Sequence, residues 1–160
     1  MSNALNLPTR RVTLLLLVGM ALTVPRVHVR AESLSAMTVH KDPSCGCCLA
    51  WVQHLKGAGF TVSVVETDRL DTVKARLGVP HELESCHTAE LGDYAIEGHV
   101  PAGAIARLLA DRPAAKGLAV PGMPVGAPGM GDGPPETYEV VLFGPEGRRT
   151  FARYRGLQEI

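Results

Sequence analysis

The residues with the most chemistry in this chain are its four cysteines, Cys45, Cys47, Cys48 and Cys86. Three of them crowd into Asp42-Pro43-Ser44-Cys45-Gly46-Cys47-Cys48. Cys45 and Cys48 have the C-x-x-C spacing of thiol–disulfide oxidoreductases, and Cys47 adds a third sulfur. Cys86 stands apart, in Ser85-Cys86-His87-Thr88. A buried cysteine is ordinarily an inert small hydrophobe. Three of them at a polar turn that also carries Pro43 and Gly46 are not explained that way.

Several chemistries compete for these sulfurs. In an oxidising compartment an even cysteine count points to disulfides. A Cys45–Cys48 bridge would leave Cys47 and Cys86 to pair with each other or stay free, and adjacent cysteines restrict disulfide geometry. A tetrahedral zinc site is expected to draw on two separated C-x-x-C-like arms, whereas here three sulfurs share one short segment. The spacing matches no iron–sulfur pattern. Crowded thiolates can instead bridge soft ions, and copper(I) is the ion that thiolate and thioether ligands select. The residues therefore favour a copper(I) site of one or more ions. Two rivals stay open: an oxidoreductase using Cys45 and Cys48, and a structural zinc module that docks a partner.

Other soft or borderline donors lie further along. Met123 and Met130 occupy a near-repeat, Pro121-Gly122-Met123-Pro124 and Pro128-Gly129-Met130-Gly131. Met123 is the better candidate for a fifth sulfur ligand, and either thioether could equally serve as packing. His87 neighbours Cys86 and is a candidate ligand or a donor that orients one. His99, in Glu97-Gly98-His99-Val100-Pro101, is expected at the far end of a strand from Cys86. His40, His54 and His81 carry weaker signals. Asp42 is expected to organise the turn, since hard oxygen suits copper(I) poorly.

These side chains need a frame. Residues 36–40 read as a strand, and the cysteine motif then opens a helix over about 47–56, ended by Gly57 and Gly59. Thiols at a helix N-terminus ionise readily, because unpaired N–H groups and peptide dipoles favour the thiolate. Residues 60–66 (FTVSVVE) read as a second strand and 69–77 as a second helix, with Asp68 as its N-cap and Leu70, Val73 and Leu77 buried. A polar loop carrying Cys86 leads to a strand at 93–97 and a helix at 101–110. Residues 112–137 hold six glycines and six prolines without periodicity and read as one long loop. Residues 138–143 and 148–154 flank Gly144-Pro145-Glu146-Gly147 as a closing β-hairpin. Strand–helix alternation predicts an α/β sheet with helices on its faces. A C-x-x-C at the first strand–helix junction fits a thioredoxin-like layout, in which the loop entering the third strand would bring Cys86 opposite the first helix.

Composition narrows the setting. The chain is 46% hydrophobic but only 4% aromatic, so Val, Leu, Ile and Ala must build the core. Arg10 and Arg11, the uncharged run 12–24 and Val29-Arg30-Ala31 have the three-part layout of a cleaved export signal over residues 1–31. The run is shorter than the ~20 residues a membrane span needs. The mature chain, residues 32–160, is expected to be one domain without membrane insertion. Removing Arg10, Arg11, Arg26 and Arg30 leaves 12 Lys and Arg against 16 Asp and Glu, a net charge of −4. That balance, with no basic patch interleaved with aromatics, argues against nucleic acid as a partner.

Taken in order, Lys41-Asp42-Pro43-Ser44-Cys45-Gly46-Cys47-Cys48, Ser85-Cys86-His87-Thr88, Glu97-Gly98-His99-Val100-Pro101 and the Pro-Gly-Met loop resemble the CopG-type copper-resistance family. The resemblance runs from about Met37 to Arg155. It implies a thioredoxin-like fold, a periplasmic location and cysteine-bound copper, with metal-ligand roles for Cys45, Cys47, Cys48 and Cys86. The expected function is a copper(I)-binding protein of copper resistance that acts with a copper efflux or copper-oxidising partner. On this reading metal binding is expected ahead of turnover chemistry, and copper or thiol redox activity stays open.

Overall fold

The computed structural model describes residues 36–131 and 133–160. The expected export signal, residues 1–31, lies outside the described residues. Along the chain come β1 (Met37–Lys41), α1 (Gly46–Gly57), β2 (Val62–Glu66), α2 (Leu70–Leu77), a short 3-10 turn (His81–Leu83), β3 (His87–Leu91), β4 (Tyr94–Glu97), α3 (Ala102–Asp111), β5 (Gly117–Ala119), β6 (Thr137–Gly144), β7 (Gly147–Arg155) and β8 (Gln158–Glu159). The strands form one sheet in the order β2-β1-β3-β4-β5-β6-β7-β8. β1 is parallel to β2 and antiparallel to β3, and β4 is antiparallel to β3 and parallel to β5. Among the described residues no helix is long and apolar enough to cross a membrane.

Helices cover both faces of the first half of the sheet. Trp51, Val52 and Leu55 of α1 and Ile105 and Leu108 of α3 pack against Met37, Val39, Ala89, Leu91 and Ile96. These strand residues alternate along β1, β3 and β4, so they share one face. The other face is more polar. There α2 buries Lys74, whose ammonium meets Glu97 and Thr88. Lys74 takes the central inward position expected of an apolar residue, while Leu70, Val73 and Leu77 are only half-buried. Asp68 is not the N-cap of α2. Arg69 occupies that position, and Thr67 Oγ1 accepts the Arg69 N–H.

Two strands depart from the expected pattern. β3 lies in what reads as loop, because HTAEL has no β-branched alternation. Its polar Thr88 and Glu90 face α2, where Lys74 and Arg76 meet them. β5 lies inside the Gly- and Pro-rich stretch and is fully buried between β4 and β6. The hairpin of β6 and β7 forms where expected and pairs from Thr137↔Arg155 to Gly144↔Gly147.

The presence of β3 reverses part of the expected geometry. β1 runs toward the cysteine motif, and β3 starts beside its end, with His87 opposite Lys41. β4 returns antiparallel and ends on that same edge at Glu97, and β5, parallel to β4, ends there too. The cysteine motif, Cys86, Gly98-His99 and the start of the Pro-Gly-Met loop therefore converge on one edge of the sheet.

Candidate metal centre

The motif turn is organised by its own polar groups. Asp42 Oδ1 accepts from the Ser44 N–H at 2.8 Å and from the Ser44 hydroxyl at 2.5 Å. The Ser44 hydroxyl and then its N–H hold the Asp42 carboxyl below its ordinary pKa. Cys45 N–H bonds to the Asp42 carbonyl at 3.0 Å, and Cys45 occupies the N-cap position of α1 without a side-chain cap. Asp42 thus shapes the turn, as its chemistry suggests, with its Oδ1 engaged by Ser44.

All four sulfurs converge. Cys45 and Cys48 are joined as a disulfide, with Cα atoms 5.6 Å apart, while Cys47 and Cys86 are free thiols. Cys47 Sγ lies 3.4 Å from Cys45 Sγ and 4.0 Å from Cys86 Sγ. Cys86 Sγ is 3.6 Å from Cys48 Sγ. The four Sγ atoms all lie within 4.8 Å of one another. Cys48 is fully buried on the inner side of α1, and the other three are half-buried at the rim. Burial, then the neighbouring Cys47 thiol, push the Cys86 pKa up to about 12. A soft cation entering here would supply the positive charge that makes deprotonation favourable.

The histidines add a nitrogen side to the cluster. Cys86 Sγ is 3.3 Å from His87 Nδ1 and 3.1 Å from His99 Nε2. His99 therefore sits beside Cys86 and not at the far end of its strand, because β3 and β4 form a hairpin that returns the chain to the edge it left. Gly98 makes the turn possible. Its φ is +69°, and a Cβ there would lie 2.6 Å from the Val120 carbonyl oxygen and 2.7 Å from Ser85 Cβ. His87 and His99 are both fully buried, with ring centroids 4.9 Å apart at 79°. Desolvation lowers the pKa of each ring, His87 more strongly, so both are neutral imidazoles at pH 7. Trp51 packs on His87, centroid to centroid 4.3 Å, and its own N–H bonds to the Val100 carbonyl at 2.9 Å.

Buried charges hold the site's backbone. Glu97 accepts from the Ser85 N–H at 2.5 Å, from the Thr88 hydroxyl at 2.6 Å and from the Lys74 ammonium. Burial nevertheless raises the Glu97 pKa above the ordinary carboxylate value. Ser85 and Thr88 bracket Cys86-His87, so this cluster fixes the strand entry that carries both ligand candidates. Lys41, also fully buried, reaches the Pro43 carbonyl and the Glu66 carboxylate at 3.3 Å.

The Pro-Gly-Met loop lies against the site but does not bury both methionines. Met123 is 57% exposed, and its neighbour Gly122 accepts a 2.7 Å bond from the Ser85 hydroxyl. Met130 packs on the main core. The Pro128 carbonyl accepts from His99 Nδ1 at 2.7 Å. Of the remaining histidines, His54 Nε2 accepts the Ala102 N–H, His40 pairs with Glu90, and His81 is exposed on the 3-10 turn.

Residues 83–130, which carry Cys86, both buried histidines and the two Pro-Gly-Met segments, match the family model described as "Protein of unknown function, DUF411". No curated protein matches the chain. Two solved structures do: "Copper resistance protein copG- Form 1" is 44% identical, with a TM-score of 0.71 over 76% of this chain and 98% of that one. "Copper resistance protein copG- Form 2" is 43% identical, with a TM-score of 0.71 over 75% of this chain and 98% of that one. An identity of 44% sustained along nearly the full length of a solved relative places this chain in the CopG-type copper-resistance family.

Proposed function

We propose that the protein is a periplasmic copper(I)-binding protein of copper resistance, with copper as its cargo. Cys45, Cys47, Cys48 and Cys86 are the proposed ligands. The observation that carries this reading is the convergence of four sulfurs within 4.8 Å on the rim of one domain. Thiolates so close can each bridge two soft ions, and copper(I) accepts the low coordination numbers such bridging produces. The name of the solved relatives, copper resistance protein, agrees with that cargo.

Loading all four sulfurs requires the reduced form. The Cys45–Cys48 disulfide takes up two electrons and two protons from a dithiol reductant, which is itself oxidised to a disulfide. The four thiols then release protons as the metal binds. Met123, exposed beside Ser85 and Gly122, is proposed as an additional thioether donor that closes over the site. A copper efflux or copper-oxidising protein is the proposed recipient. The order β2-β1-β3-β4, with the cysteine motif between β1 and α1, supports a thioredoxin-like reading of the first half of the sheet.

A thiol–disulfide oxidoreductase is the second reading, favoured by the formed Cys45–Cys48 bridge. Anaerobic titration of the reduced protein with copper(I), against a competing chelator, separates the two. The copper reading expects tight binding of one or more ions, lost in Cys47→Ser and in Cys86→Ser. Weak binding together with disulfide exchange that survives Cys47→Ser would favour the oxidoreductase.

A further inference from the structure

The two ends of the sheet are treated differently. β8 closes one end with only two residues, Gln158–Glu159, one of them charged. β2 forms the other end, and among the described residues nothing pairs with its outer side. Natural sheets guard such edges with lysine, proline, a bulge or a very short strand. β2 is five residues long (VSVVE), carries neither Lys nor Pro, and pairs with β1 without a register shift. We propose that β2 pairs antiparallel with the β2 of a second copy of this chain, across a two-fold axis at Val64, so that one sheet runs through both copies.

The direction of the backbone groups fits such a pairing. The Thr61 carbonyl accepts from the Met37 N–H, and the Thr67 N–H donates to the Lys41 carbonyl, both at 2.9 Å. Backbone groups alternate in direction along a strand, so Thr61, Ser63, Val65 and Thr67 serve β1. Val62, Val64 and Glu66 therefore aim their N–H and C=O groups at the free edge. An antiparallel copy centred on Val64 sets Val64 against Val64 and Val62 against Glu66. Each opposed pair then exchanges both its N–H···O bonds, and the register uses every outward group of the strand.

The side chains beside the edge agree. Val64 and Val65 are 36% and 43% exposed, on opposite faces of the strand. Val64 shares a face with Val39, its neighbour on β1, and that is the face α1 covers. Ala50 and His54 of α1 line the cleft against the Pro-Gly loop, so Leu49, on the opposite flank of the helix, lies toward β2. Leu49 is 46% exposed. The two-fold axis brings Val64 and Leu49 of each copy together and removes apolar surface that the monomer leaves in water. Charge does not oppose this. The one charged residue of β2, Glu66, is met by the buried Lys41 at 3.3 Å, and the register sets it against Val62 and not against its own copy.

Size and direction set the character of the dimer. A pairing of five-residue strands with these few side chains buries less than the ~1,200 Å² of a stable interface, so the dimer is reversible and its population follows protein concentration. β2 runs parallel to β1 and ends on the edge that carries the cysteine motif. Antiparallel pairing points the two cysteine edges in opposite directions and leaves both open. Pairing through β2 therefore neither needs the metal centre nor covers it.

Sedimentation velocity of the purified protein over a wide concentration range is expected to show reversible exchange between monomer and dimer. Val64→Pro removes an outward N–H that β1 does not use, and an edge strand accepts proline at such a position. The dimer then loses one bond from each copy, and its dissociation constant should rise about tenfold. Val64→Lys sets two like charges against each other on the axis and should weaken the dimer in the same way. Amide hydrogen exchange at low and high protein concentration needs no variant to fold. Val62, Val64 and Glu66 should be protected only at high concentration, and Ser63 and Val65 at both. The pairing is overturned by a protein that stays monomeric at the highest concentration it tolerates, or by a dimer that both variants leave unchanged. Growth past two copies, or outward amides that exchange equally fast at either concentration, would overturn it as well.

Discussion

At the scale of single residues, the polar face of the sheet shows how one acid can serve three elements. Glu90 on β3 accepts two bonds from the Arg76 guanidinium of α2, at 2.8 and 3.0 Å, and one from His40 of β1 at 2.6 Å. The Arg76 bond first, then His40, hold the Glu90 pKa down to about 2. A carboxyl with a depressed folded-state pKa contributes stability above its unfolded value near 4.5 and loses it as pH falls through about 2. Arg76 is more than half exposed, so solvent screens the pair and its worth is about 0.5–1 kcal/mol. Glu90→Gln is expected to lower urea-unfolding stability by that amount at pH 7. The gap from the unmutated protein should narrow between pH 4.5 and pH 2, and a gap independent of pH would show that the ionised pair is not its source. The cysteines differ from Glu90 in being identifiable from type and spacing alone. His99 was not, since its role depends on a partner thirteen positions away in the chain.

At the scale of elements, the Pro-Gly-Met loop is a fitted part of the site. Gly129 has φ +84°, and a Cβ there would lie 2.6 Å from the Trp51 nitrogen and 2.8 Å from the Cys47 carbonyl oxygen. The loop thus touches the backbone of α1's first turns, one residue past the carbonyl that orients His99. Gly131 has a similar φ, +78°, but open space around it. Gly131→Ala should therefore cost only the backbone strain, about 1–2 kcal/mol. Gly129→Ala adds the collision with α1 and should cost clearly more. Urea unfolding of the pair measures the difference, and limited proteolysis should cut the loop faster only in Gly129→Ala. Equal costs would mean that the loop's contact with α1 contributes little. The same stretch shows why β5 escapes a reading by pattern. Gly117-Leu118-Ala119 is three residues long, and a Cβ on Gly117 would fall 1.8 Å from the Ala95 carbonyl oxygen. Such a strand is specified by its neighbours β4 and β6 and not by its own side chains.

At the scale of the whole molecule, the edge that gathers the cysteines and histidines is built by topology. β1 ends there, β3 begins there, and β4 and β5 end there, so four loops meet over the N-terminus of α1. If the chain is exported as its first thirty-one residues suggest, the periplasmic fraction should contain a protein whose intact mass begins at Glu32. Recovery of the uncut chain from the membrane fraction would argue for an anchor.

The sequence by itself determined which residues carry sulfur donors, the family, the α1 helix that opens on the cysteine motif and the closing hairpin. Each rests on residue type, short-range spacing or period, which the chain carries locally. The tertiary structure alone decided that HTAEL is a strand, because its buried Thr88 is met by Lys74 and its half-buried Glu90 by Arg76. With β3 in place, the β3–β4 hairpin turns His99 back to Cys86, and the Pro128 carbonyl fixes which of its nitrogens faces the sulfur. Those partners are separated widely in sequence, so no local pattern records them.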